Sequence, residues 1–372
     1  MDRYPDSHPA QQRRRSIGWL IPVLVVVIVV AGWCAFWFYA ADRARDTIAG
    51  WIEREARGGR IYTCGSQSLG GFPFRIEIHC TQVTATFEKM RPPVALATGS
   101  VLAAVQVYQP TLVLAEIDGP VTIAEPGHAP KMTANWSLAQ VSLRGTPRNP
   151  QRVSFAATKL TLDGAGSEKP DRLLTADKGQ LHGRLASGTV RENPVIDVAA
   201  SLKGATAPSW HPLAAKPFDF NGDTRLVGLR NFQPKSWGER LKEIQQADGR
   251  IEVRNARLKQ GDLLAVASGN LKLTKQGYLD GELTVTATGL EAILPALGLE
   301  ALSRQGGSRS QRLGAALSLL DQMAPGAISS AVSLLGEQVD LEGRRATKMP
   351  LRFKNGFATL GPVKLGQTPP VF

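Results

Sequence analysis

Cysteine is scarce in this chain, three residues in 372, and histidine is hardly commoner at five. No histidine stands at ligand spacing from a cysteine or from another histidine, so no linear metal site is written here. Also missing are a glycine-rich phosphate loop, a dinucleotide fingerprint and a zinc-protease helix. The nearest approach to a nucleophile elbow, Ser66-Gln67-Ser68-Leu69-Gly70, has serine where the first glycine belongs and runs into strand pattern instead of helix. The expectation is a protein that is not an enzyme, with no catalytic residue, no cofactor and no metal. Aromatic residues make up only 6 %. The basic residues behind the net charge of +12 are not interleaved with them into a nucleic-acid surface, so no nucleic acid is expected as partner.

Charge of either sign is absent from Ile17 to Ala41, a run longer than the roughly 20 residues a helix needs to cross a hydrocarbon core. Its valine-rich centre is no obstacle, because in lipid a helix is the way for one segment to satisfy its own backbone. Trp37, Phe38 and Tyr39 occupy positions where signal cleavage needs small residues, which favours a retained signal anchor. Arg13, Arg14 and Arg15 abut one end, whereas Arg43 and Arg45 mix with Asp42 and Asp46 at the other. That asymmetry places residues 1–16 as a cytoplasmic tail and 17–41 as a single-pass anchor in the inner membrane. A membrane-proximal helix at 42–59, ending at Gly58-Gly59, and an extracytoplasmic domain over 60–372 follow. Within that domain, which the orientation puts in the periplasm, Cys64 and Cys80 are the only thiols, and one disulfide between them is favoured over two separate buried thiols.

From Arg60 onward, apolar residues alternate with period two between Gly and Pro punctuation, the pattern of antiparallel strands with one apolar face. The clearest hairpin covers Asn270 to Thr288, with Leu271 and Leu273 before a Gln276-Gly277 turn and Leu283 and Val285 after it. Inside several runs the parity flips. Ile76, Ile78 and Cys80 give way to Val83 and Ala85; Trp136 and Leu138 to Val141 and Leu143; Val153 and Phe155 to Leu160 and Leu162; Ile251 and Val253 to Ala256 and Leu258. Either bulges in long curved strands or tight turns between short ones would do this. Helical pattern interrupts near 236–247, opened by a Ser236/Glu239 capping box, and again near 290–336. The fold expected is mainly β (α+β): a transmembrane helix, then an elongated, curved antiparallel sheet or groove with a few capping helices. A β-sandwich is the alternative.

The anchor and following helix, Gly71-Phe72-Pro73-Phe74-Arg75 leading into the Cys80 strand, and the ending from Asn355-Gly356 through Leu360-Gly361-Pro362 to Pro369-Pro370 carry a resemblance. Together they resemble the domain of unknown function 2125 family of alphaproteobacterial envelope proteins. The glycine-punctuated hairpin around Leu271 to Leu290 is more remotely similar to AsmA-like envelope proteins. The second likeness implies an inner-membrane-anchored β-groove that handles lipid in the cell envelope.

Gly71, Phe72, Pro73 and Phe74 read as a turn that anchors the first hairpin to the core, with both rings to one side. Ile76, Ile78, Leu271, Leu273, Leu283 and Val285 are the residues expected to face a lipid. Two functions follow: an apolar groove that binds or transfers acyl chains, or a scaffold that recruits other envelope proteins and holds no lipid.

Overall fold

The computed structural model describes residues 20–146, 149–165, 171–233, 235–289, 336–361 and 363–372. The helical pattern expected near 290–336 lies, but for its last residue, outside them, as do Ile17 to Trp19. A single helix, α1 (Leu20–Arg57), carries the apolar run and continues through the first charged residues. Gly59 in the left-handed region ends it, and the chain enters β1 (Arg60–Thr63), β2 (Ser66–Gly70), β3 (Arg75–Phe87) and β4 (Val94–Gln106). Next come β5 (Gln109–Ile117), β6 (Val121–Ala124), β7 (Met132–Asn135), β8 (Leu138–Thr146), β9 (Asn149–Gly164), β10 (Asp171–Thr189) and β11 (Glu192–Ala205). After a 3-10 turn (Pro212–Ala215) and β12 (Phe218–Val227) lies α2 (Trp237–Gln246), with the Ser236/Glu239 capping box formed. The chain ends through β13 (Arg250–Gln260), β14 (Leu263–Leu273), β15 (Leu279–Thr288), β16 (Glu337–Leu341), β17 (Arg344–Lys354), β18 (Phe357–Leu360) and β19 (Val363–Gln367).

All of these strands belong to one 19-stranded sheet, antiparallel throughout. Most neighbours in space are neighbours in sequence, because hairpin connections let each strand pair with the one just made. Short strands share a neighbour end to end: β1 and β2 on β3, β5 and β6 on β4, β7 and β8 on β9. The single antiparallel sheet of the sequence expectation is therefore the architecture, and among the described residues no second sheet packs on it as a sandwich would require. The Leu273–Leu279 end of the β14–β15 hairpin closes around Gln276-Gly277, with Thr274 N donating to Tyr278 O at 2.9 Å.

The parity flips have two different origins. Between β1 and β11 they fall on one line. Gly65 faces Gln82, Gln82 faces Gly99, and the line continues through Gly119 and Ser137 to Lys159, Asp177 and Gly204, each bracketed by paired residues on both sides. Gln82 (φ 50°), Lys159 (φ 49°) and Gly204 (φ 59°) are left-handed. One residue outside the extended region resets the in–out alternation, so the strands crease there and keep their apolar residues on the same face beyond it. Across β9 and β10 no residue is added, one register holding from Leu160–Ala176 to Thr158–Lys178; at Gly119 the line takes up one residue, because Val101 faces Ile117 but Ala97 faces Thr122. In β13 the flip is instead a bulge, where Asp223 faces Asn255 but Thr224 faces Val253, which leaves Arg254 over. Of the two mechanisms weighed from the sequence, the bulge is present in β13, and of the four flips read there the one at Trp136-Ser137 falls in a break between two short strands, β7 and β8.

Burial is concentrated in small clusters. At one, Leu241 and Ile244 of α2, with Val371 and Phe372, cover Ile196, Leu229 and Leu273. Beyond the crease, Leu160, Leu162, Leu174, Ala176, Ala205 and Phe218 pack with Ala207 and Ala214 beside the 3-10 turn. A third joins Ala265, Ala287, Met349 and Leu360. Between them, among the described residues, no layer fully covers the apolar face.

Candidate functional site: an apolar sheet face docked on a helix

Residues directly opposite in an antiparallel pair put their side chains on the same face, so the registers can be followed across the sheet. One row runs from Leu69 through Ile78, Ala103, Ala115 and Val141 to Phe155. It continues through Leu181, Ala200, Gly222, Ala256, Ala267 and Val285 to Met349. Not one polar side chain interrupts it. The row beside it runs Ile76, Val105, Val113, Leu143, Val153, Gly183, Val198, Thr224, Val253, Gly269, Leu283, Leu351, Leu360, with a single threonine. At about 4.8 Å per strand the first row is on the order of 60 Å long. A leaflet contributes about half of a 30 Å hydrocarbon core, so the row exceeds one acyl chain severalfold.

The middle of this face is open. Leu181 is 50 % exposed and Val153 41 %, while Phe155 is half-buried under Trp136, whose ring meets it edge-on at 6.0 Å. The Trp136 indole donates to Ile117 O at 2.7 Å, which pins the ring at the crease. An ordinary sandwich core would leave such side chains nearly inaccessible.

The opposite face is polar in the same registers. Arg144, Arg152, Arg184, Asp197, Arg225, Glu252, Asn270, Glu282 and Arg352 form one row. Its fixed point is Asp197, buried between Arg184 (2.7 Å), Arg225 (2.7 Å) and the bulged Arg254 (3.3 Å). The hydrogen bond from Arg225, reinforced by Arg184 and Arg254, holds the Asp197 carboxyl well below the usual carboxylate range against the opposing effect of burial. This face is a solvated back. Among the described residues no group of three or more His, Cys, Asp or Glu is placed to hold a metal.

At the first edge α1 lies along β1 and β2. Trp51 stacks on Tyr62 at 5.0 Å, and burial pushes the Tyr62 hydroxyl up. Glu55 pairs with Arg60. An open cleft of about 780 Å³ lies beside them, lined by Trp51, Tyr62 and Phe232 and by Arg54, Arg60 and Arg191. Val190 and Arg191 come from the β10–β11 turn, so the sheet curls until its first strand faces the ends of its middle ones. The loop carrying Phe232 is tied to α2 by Arg240, which donates to Asn231 O and Gln233 O and lies 5.1 Å from the Phe232 ring centre.

The sequence-expected residues separate on inspection. Cys64 and Cys80 form a disulfide beside the crease, with Cα atoms 5.7 Å apart. Gly71 to Phe74 form the β2–β3 turn, but the partner of the turn is α1 and not the sheet core: Phe72 meets Trp37 and Phe38, and Phe74 meets Trp33. Trp33, Trp37 and Phe38 of the apolar run are thus a docking surface for the turn. Ile78, Leu283 and Val285 lie half-buried on the open face. Ile76, Leu271 and Leu273, on the same face, are buried; α2 and the C-terminus cover Leu273. They do not present themselves to a ligand as expected. Leu181, Val153 and Trp136 are the better-placed residues, and only cross-strand register, which one strand does not encode, singles them out.

These features define a β-rich protein with a single-sheet apolar face and one N-terminal helix long and apolar enough to cross a membrane. Residues 37–369 match the family described as an uncharacterized protein conserved in bacteria, DUF2125, and the chain belongs to that family. The match begins at Trp37, the residue that reaches from α1 to the β2–β3 turn. No curated protein matches the chain.

Proposed function

We propose that this chain is a non-enzymatic cell-envelope protein, held in the inner membrane by α1 with its sheet in the periplasm, that binds or transfers lipid along the apolar face. The observation that carries the reading is the unbroken row from Leu69 to Met349, half-exposed at its centre and backed by charge in the same registers. Exposing an apolar strip of this length costs roughly 25 cal/mol per Å² that a ligand's covering would recover. Acyl chains fit it because they are apolar along their length and ask for no polar partner. A function like that implied by AsmA-like envelope proteins is part of this proposal, as is the cleft beside Arg54, Arg60 and Arg191 as a place for an anionic headgroup.

Adjacent positions on opposite faces provide the test. A photoreactive phenylalanine is placed at Leu181 or, separately, at His182 of the full-length protein in growing cells, and adducts are read by mass spectrometry. Lipid adducts at 181 and none at 182 are expected. Repeated capture of one protein at 181, without lipid, would instead favour a scaffold that recruits envelope proteins.

A further inference from the structure

We infer that the β2–β3 turn, Gly71 to Arg75, is itself a membrane-contacting element, seated at the acyl–headgroup boundary on the side of the bilayer where the sheet lies. The inference requires α1 to cross a membrane but does not require lipid on the sheet.

The first observation is depth. Trp33 and Trp37 precede Ala41, the end of the uncharged run, by about 12 Å and about 6 Å along a helix rising 1.5 Å per residue. The turn is fastened at this level: Trp33 Nε1 donates to Pro73 O and Trp37 Nε1 to Arg75 O, both at 2.9 Å. The second is backbone satisfaction. Arg75 N donates to Gly71 O and Val107 N to Phe74 O, both at 3.1 Å. Four successive or near-successive carbonyls of an irregular turn therefore have protein partners, the condition for placing non-helical backbone out of water. A turn bathed in water has no need of two indole donors.

The third observation is what the turn exposes. Phe72 and Phe74 are 51 % and 63 % exposed although each already packs on a ring of α1. Tyr108, in the neighbouring β4–β5 turn beside the Val107 that binds Phe74 O, is exposed too. The medium that covers Val23 to Val30 on α1 reaches these rings as well, and aromatic side chains are favoured at that boundary. Gly71 sits at φ 93° and a Cβ there would meet Arg75 O at 2.6 Å, so the tight shape has no room for another residue. Arg75, paired to Glu77 at 2.7 Å, keeps its charged end exposed where headgroups would lie.

The test uses the full-length chain, with Cys34→Ser, in vesicles of phosphatidylethanolamine and phosphatidylglycerol. An environment-sensitive fluorophore is attached at Phe74→Cys, at Tyr108→Cys, which leaves the turn intact, or at His182→Cys on the polar face. Shallow nitroxide-labelled lipids should quench the probe at 74 and 108 severalfold more than at 182, and aqueous iodide should do the reverse. Iodide quenching at 74 and 108 equal to that at 182 would overturn the inference. So would protection at both sites that disappears when the protein is diluted to one copy per vesicle, since that places a second chain on the turn.

Discussion

Between β1 and β11 the strands change face along one shared line, whereas in β13 the change belongs to a single strand. Between β9 and β10 the crease inserts nothing and keeps both strands in register; the bulge inserts Arg254 and spends it on Asp197. A crease bends the sheet as a whole and leaves the apolar face continuous and open around Leu181. Helix α2 and Phe372 cover Leu226 and Leu273, in the strands on either side of β13, together with Ile196 of β11. The same sequence signal, a parity flip, thus stands for two geometries, and what separates them is whether neighbouring strands flip in the same register.

The largest expected effect lies in the covered part. Ile244→Ala removes a side chain only 1 % exposed from the α2 cluster and should cost about 2–5 kcal/mol in chemical denaturation. A loss under 1 kcal/mol would mean that α2 does not close that part of the sheet. Asp197→Asn tests the bulge. Loss of charge-assisted bonds from Arg184, Arg225 and Arg254 should cost about 2 kcal/mol at neutral pH, toward the low end because the arginines reach solvent. Because the folded pKa of Asp197 lies below the unfolded value of about 3.9, its contribution is complete above that pH. It disappears as pH falls through the range below, so the gap between wild type and variant, followed by denaturation at successive pH values, should narrow on acidification. A gap constant down to pH 2 would remove the carboxylate from the explanation.

The crease answers to a smaller change. Gly204→Val forces a β-branched residue into the left-handed region against Asp177 Oδ2, 2.4 Å from the added Cβ, and should cost about 1–2 kcal/mol or more. Gly99→Ala, on the same line but with open space around it, should cost nothing measurable. Equal melting temperatures for the two variants would show that the crease is not held by backbone conformation. The smallest effect is expected at the open face, where Leu181→Ser should change stability by less than about 0.5 kcal/mol. A loss comparable to that of Ile244→Ala would mean that Leu181 is core and that the face is closed.

Much of the local structure was legible in single segments. The α1 span, the Ser236/Glu239 cap, the β14–β15 hairpin and the flips at Ile78–Val83, Phe155–Leu160 and Val253–Ala256 all follow from spacing along the chain, because helix and strand periods are local properties of the backbone. The candidate site was legible only by half. That one face is apolar could be read; that Leu273 is covered while Leu181 is open could not, since α2 and the C-terminus reach Leu273 from distant positions. The partner of Phe72 and Phe74 was missed for the same reason: Trp33 and Trp37 lie about forty residues earlier and become neighbours only when β1 and β2 run back along α1.

By itself, then, the sequence determined the apolar helix, the succession of antiparallel strands and the segregation of apolar from charged residues, each an expression of local geometry and of the cost of burying charge. Tertiary structure alone decided that flips in neighbouring strands align into one crease and that rows join from Leu69 to Met349. It also decided that the β2–β3 turn seats on α1, because register and docking depend on which strands become neighbours, and no single segment encodes its neighbours.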